Sequence, residues 1–151
     1  MKYPLRTVTW KFERFNEPLP ELQGKSSVIV HSPATLVQCF QSLFKDRVRE
    51  RFVVFWLSSS NKILGLEVIS EGTLNSSLVH PREVFRGAIV ATAASIVVAH
   101  NHPSENPEPS QEDLTITKQI VEAGKIVGVP VYDHIIFAGD SFTSFAERGL
   151  I

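Results

Sequence analysis

Cysteine is almost missing from these 151 residues: Cys39 is the single one. One thiol cannot build a disulfide framework within the chain, and such sparing use fits a reducing compartment. Long apolar runs are missing too. The run from Gly87 to Ala99 stops after 13 residues, against the roughly 20 that a membrane-crossing helix needs. The opening "MKYPLRTVTWKF" lacks the apolar core of a secretion signal. A cytoplasmic chain with no membrane contact is therefore expected. Excess charge of either sign is also lacking, with 15 Lys and Arg against 16 Asp and Glu and a net charge of −1. No global field draws the chain to nucleic acid. Its one basic cluster, Lys45 to Arg51 ("KDRVRER"), is interrupted by Asp46 and Glu50 and reads as solvated surface. Repeats and low-complexity tracts are absent.

What is present is enough apolar material, 43% of residues, for one ordinary domain with a real core. Residues 7–12, "TVTWKF", place Val8, Trp10 and Phe12 on one face of a strand. A Pro-containing connector follows, so residues 1–30 read as an N-terminal strand and connector and 31–151 as the domain proper. Ser32 and Pro33 open a helix whose stripe is Leu36, Val37, Phe40, Leu43 and Phe44, with Cys39 on its apolar side. "RFVVFWLSS" has the unbroken apolarity of a strand buried on both faces. "KILGLEVISEG" is expected to pair with it through a hairpin near Asn61-Lys62. A helix over "HPREVFRGAIVATAA" is entered through His80-Pro81, and the strand "SIVVAHN" follows. A third helix, "SQEDLTITKQIVEAGKIVG", carries the stripe Leu114, Ile120, Val121 and Val127 and ends at Gly128. "VPVYDHIIFAG" and "SFTSFAERGLI" are expected as two closing strands. The sum is a mixed α/β domain, one mixed sheet flanked by helices.

Chemistry concentrates in "HNHPSENPEPSQED", His100 to Asp113. In extended backbone, residues i and i+2 share a face, so His100 and His102 can converge on one point while Asn101 points away. Pro103, Pro107 and Pro109 stiffen the turn that returns the chain to a helix start. Asp113 lies in the first turn of that helix. Two imidazole nitrogens and one carboxylate oxygen form a three-ligand set with an open fourth position, as in catalytic zinc sites. The same letters also read as a capping motif, with Ser110 as N-cap and Asp113 bonding back from the third position. The two readings are compatible. The spelling "HNH" does not signify a nuclease, since those motifs spread over tens of residues.

The spacing H-x-H-P-x6-S-x-x-D, filled by His100, His102, Pro103, Ser110 and Asp113, is similar to the JAMM motif of MPN+ metalloproteases. The wider stretch from "EGTLNSSLVHPREVF" to "IIFAGDSF" resembles the bacterial RadC proteins, from about residue 30 to the end. The resemblance implies a single MPN/JAMM domain of cytidine-deaminase-like architecture. It implies a zinc metallopeptidase, with one Zn²⁺ per chain on His100, His102 and Asp113. Glu50, just before "RFVVFWL", matches the family's acid/base glutamate; Glu67, Glu71 and Glu83 compete with it on spacing. In the implied mechanism Glu50 takes a proton from the attacking water and delivers it to the leaving amine. The Ser110 hydroxyl donates to the oxyanion. Asp133-His134 in "YDHIIF" matches a RadC feature and is a candidate pair behind the metal ligands. His80 and His31 read as structural or exposed.

Two departures stand out. RadC proteins read HNHPSG where this chain has Glu105, and glutamate accepts a left-handed backbone less readily than glycine. The family's N-terminal helix-hairpin-helix region has no counterpart in the first thirty residues, so a short form is expected. The expected partner is a protein or peptide substrate, without direct nucleic-acid binding, and "TVTWKF" offers either an added strand for the sheet or a homodimer contact. Two alternatives stay open at this point: a repair-associated factor, and a non-catalytic MPN scaffold.

Overall fold

The computed structural model describes residues 4–72 and 79–151. Five strands form one mixed sheet: β1 (Glu50–Leu57), β2 (Ile63–Gly72), β3 (Ser95–Asn101), β4 (Val131–Ala138) and β5 (Ser141–Ser144), in the order β2-β1-β3-β4-β5. β1 pairs antiparallel with β2 and β3, β3 parallel with β4, and β4 antiparallel with β5. Three helices cover the sheet: α1 (Pro33–Phe40), α2 (Pro81–Val90) and α3 (Gln111–Val127). Among the described residues, no helix is long and apolar enough to cross a membrane.

The inner strands β1 and β3 are buried on both faces, which explains their unbroken apolarity. On one face Val53, Phe55, Val97 and Ala99 pack with Leu36 and Phe40 of α1. On the other, Phe52, Val54, Ile96 and Val98 pack with Val84 and Phe85 of α2 and Ile116 and Ile120 of α3. Alternate residues of one strand thus feed two cores. Burying one such large side chain contributes about 1.5–3 kcal/mol. Among the described residues the β3–α3–β4 crossover is the one parallel connection, and it places the N-terminus of α3 beside the C-terminal end of β3. Ligand sites of α/β sheets gather at that end.

Local chemistry sets the boundaries. Ser32 caps α1 by accepting from the Thr35 N–H. Asn61 turns the β1–β2 hairpin in a left-handed conformation, φ 60°. α2 ends at Val90 rather than reaching Ala94, because Thr92 goes left-handed at φ 51°. Gly128, φ 76°, ends α3, and its N–H donates to the Gly124 carbonyl.

Two expected strands need correction. Residues 7–12 form no strand: Val8, Trp10 and Phe12 are 67%, 61% and 60% exposed. Alternation supplied a strand-like face, but no edge of the sheet is paired with it; the Phe12 ring instead meets Trp56 edge-on at 6.1 Å. β5 stops at Ser144, and residues 145–149 are turns. Asp133 causes this by accepting from the Ser144 hydroxyl at 2.6 Å and the Ala146 N–H at 2.9 Å, which bends the chain off the sheet.

Candidate metal centre

β3 carries His100 to its buried end, where the side chain is 1% exposed. The alternation that aims His100 and His102 one way aims Asn101 the other. The Asn101 amide accepts from the Arg51 N–H at 2.8 Å and donates to the carbonyls of Asp46 and Arg49 at 3.0 and 2.9 Å. It thereby clamps the start of β1, where Glu50 sits. Strand alternation alone shows only that Asn101 faces away from the two histidines.

The His102–Pro109 loop brings Asp113 back. Its backbone docks through the His102 N–H on the Phe137 carbonyl at 2.8 Å and the Thr143 hydroxyl on the Pro107 carbonyl at 2.6 Å. Glu105 does adopt the left-handed conformation, φ 63°, so the loop follows a path that glycine would favour. Its stem lies over Gly139, where an added Cβ would come within 3.1 Å of it, and its carboxylate reaches Arg47 at 3.4 Å.

At the start of α3 the capping box is complete. The Ser110 Oγ accepts from the Asp113 N–H at 3.0 Å, and Asp113 Oδ2 accepts from the Ser110 N–H at 2.8 Å. The same carboxylate lies 3.2 Å from His100 Nε2 through Oδ1 and 3.1 Å from His102 Nε2 through Oδ2. Capping and site roles coexist on one side chain. The two Nε2 atoms are 3.0 Å apart, and Glu50 Oε1 is 3.7 Å from that of His100. The competing glutamates lie elsewhere: Glu67 pairs with Arg86, Glu71 with Arg51, and Glu83 sits in the first turn of α2. His80 precedes α2 without capping it through its side chain.

Electrostatics follow the packing. Burial opposes the charge on Asp113, but its bonds to His100, His102 and the Ser110 N–H hold its carboxyl far below the usual carboxylate range. Burial also opposes charging His102, yet the bond to Asp113 and the Asn106 carbonyl push its pKa up. Glu50 is pushed up, mainly by burial and further by the Asp113 charge, against the pull of both histidines. His134 is lowered well below its ordinary value, by complete burial and by His100 beside it.

The donor set fits a divalent cation. His102 Nδ1 donates to the Asn106 carbonyl at 2.7 Å, because a carbonyl can only accept; its Nε2 lone pair therefore faces the site. That lone pair, His100 Nε2 and an anionic carboxylate repel one another unless a proton or a cation sits among them. Three ligands from His100, His102 and Asp113 have candidate atoms within 4.8 Å of one another. Glu50 Oε2 is a buried acceptor with no hydrogen-bond partner, at the wall of a cleft of about 440 Å³ that Ser110, His102 and Asp113 also line. Such an orphan is expected where a group is reserved for a water or substrate.

The pair Asp133-His134 is divided by the strand. Neighbours in β4 face opposite ways, and only His134 reaches the site, its Nε2 lying 2.8 Å from His100 Nδ1. Asp133 faces the C-terminal turn and touches no ligand. That corrects its expected place. Thr117, one turn beyond Asp113, contacts His134 at 2.6 Å and was not foreseen.

A family description, the RadC-like JAB domain, matches residues 30–150. The chain belongs to this family. A UPF0758 protein of Salinibacter ruber is 49% identical over 140 residues, covering 93% of this chain and 60% of that protein. One from Desulforamulus reducens is 44% identical over 133 residues, covering 88% of this chain and 59% of its own length. A third, from Methanosarcina mazei, is 38% identical over 122 residues, covering 81% of this chain and 53% of that protein. The chain therefore spans little more than half the length of these RadC-family relatives, whose names state no activity.

Proposed function

We propose that this RadC-like chain is a zinc-dependent hydrolase of the JAMM type, cutting a peptide or isopeptide bond in a protein or peptide substrate. The observation that carries the reading is one arrangement. His100, His102 and Asp113 converge at 3.0–3.2 Å, and Glu50 stands beside them without joining the set, its Oε2 buried and without a hydrogen-bond partner. Two imidazoles and one carboxylate, with a cleft left open on one side, suit zinc in its catalytic form. When bound, zinc supplies Lewis acidity that brings the pKa of water from about 15.7 toward about 7.

The chain's own residues supply the rest. Glu50 is close to the ligands, and burial favours its protonated form. A carboxylate so placed can take a proton from the attacking water and return it to the leaving amine. Ser110 Oγ accepts from the Asp113 N–H, so its own proton remains free to donate to an oxyanion in the cleft. Asn101 holds the strand start that positions Glu50. With balanced charge and no basic stripe, the cleft is offered to a polypeptide and not to a nucleic acid.

The test is Glu50→Gln. With zinc uptake unchanged, hydrolysis of a mixed-sequence peptide library should fall by about 10²–10⁴, and the variant should retain substrates that the wild type releases. Undiminished hydrolysis by Glu50→Gln would remove that residue from the mechanism.

A further inference from the structure

We propose that Thr117 and His134 are positioning residues that set the tautomer of His100 and so decide whether its Nε2 can bind a metal. The inference rests on the metal-site reading above and concerns residues behind the ligands.

Four groups form a buried chain. His100 Nδ1 lies 2.8 Å from His134 Nε2, His134 Nδ1 lies 2.6 Å from Thr117 Oγ, and the Thr117 hydroxyl donates to the Asp113 main-chain carbonyl at 2.6 Å. The direction of each bond follows from the last. A carbonyl only accepts, so the one hydroxyl proton of Thr117 is committed to it, and Oγ faces His134 as an acceptor. His134 must then carry its proton on Nδ1, which leaves Nε2 as an acceptor. His100 consequently carries its proton on Nδ1 and presents a lone pair at Nε2, toward His102 and Asp113. The chain starts at one candidate ligand and ends on the backbone of another.

The reversed chain holds the same number of protons with the opposite result. If Thr117 donated to His134, His134 would donate to His100, and the His100 proton would sit on Nε2, in the metal's place. The two arrangements differ in the bond to the Asp113 carbonyl, which Thr117 makes in only one. Histidine ligands in general depend on the partner of their other nitrogen. Here that partner is a second histidine, 0% exposed and packed between Phe52 and Phe145, with ring centroids 5.7 and 4.5 Å away. Water cannot substitute for Thr117 at that depth.

Thr117→Val tests this, since valine keeps the shape and removes the acceptor. His134 would then favour the tautomer with its proton on Nε2, driving the His100 proton toward the metal position. Zinc affinity, measured by competition with a chelator, should fall about 10- to 100-fold, while Thr117→Ser should stay within about threefold of wild type. Long-range ¹H–¹⁵N spectra of the zinc-loaded wild type should show the proton of His134 on Nδ1. Wild-type zinc binding that is unaltered by Thr117→Val, or a His134 proton found on Nε2, overturns the proposal. Wild type that takes up no zinc overturns the metal reading and this proposal with it. Loss of hydrolysis alone, with the affinity pattern intact, touches only the peptidase reading.

Discussion

His100 and His102 aim the same nitrogen at the same point from different supports. His100 stands on β3, 1% exposed, its far nitrogen held by His134 inside the core; His102 stands on the loop, 13% exposed, its far nitrogen held by the Asn106 carbonyl. One ligand is therefore fixed by side chains that the whole fold buries. The other is fixed by four residues of local backbone. The site joins a rigid half, made of β3, β4 and α3, to a loop half whose geometry depends on Glu105 and on docking against β4 and β5.

The largest effect should separate the two halves by stability and not by metal. His100→Ala removes the donor to the buried His134 Nε2 and opens a cavity, which should cost about 2–4 kcal/mol in metal-free protein. His102→Ala, at the cleft surface, should cost about 1 kcal/mol or less. Urea unfolding with chelator present reads both. Equal costs would erase the distinction between a core-held and a loop-held ligand.

Next comes pH. The pKa of His102 is raised in the metal-free fold; burial works against that charge, but the bonds to Asp113 and Asn106 outweigh it. A raised histidine stabilises fully below its unfolded value of about 6.5, and that stability is lost as pH climbs through the folded value. Glu50, raised chiefly by burial, likewise makes the fold lose stability as pH rises from about 4.3. Asp113, depressed despite its burial, contributes above about 3.9 and is lost only as pH falls toward its much lower folded value. Metal-free protein should therefore weaken as pH climbs above about 6.5. Zinc competes with the same histidine proton, so zinc affinity should strengthen over the same climb. Parallel pH trends in unfolding and in zinc titration would contradict this.

The smallest effect is at Glu105. A left-handed glutamate costs about 1–2 kcal/mol, and glycine would release that strain while giving the unfolded chain about 0.5–1 kcal/mol more entropy. The lost Arg47 contact is exposed and weak. Glu105→Gly should thus change stability by no more than about 1 kcal/mol and leave zinc affinity within about threefold. A larger drop in affinity would show that the Glu105 side chain itself holds the loop half together.

How legible each half was follows from the same division. The i, i+2 histidines, the capping box at Ser110 and Asp113, and the apolar run of β3 are local patterns, and local geometry fixes what they do. The support behind His100 depends on pairing distant in sequence: His134 reaches it only because β3 and β4 are parallel neighbours. Thr117 reads as an ordinary polar residue in sequence, since the stripe Leu114, Ile120, Val121 and Val127 shares only Ile120 with the buried row Asp113, Ile116, Thr117, Ile120 and Gly124. "TVTWKF" failed in the opposite way, because alternation predicts a strand face without supplying a partner strand. Asp133 was misplaced for a related reason, since only one residue of an adjacent pair in a strand can face a given site.

Zinc content tests the central claim most directly. Protein purified without chelator should carry about one zinc per chain, the three-ligand catalytic complement, and His100→Ala and Asp113→Asn should carry essentially none. Wild type with well under one equivalent, indistinguishable from His100→Ala, would contradict the account.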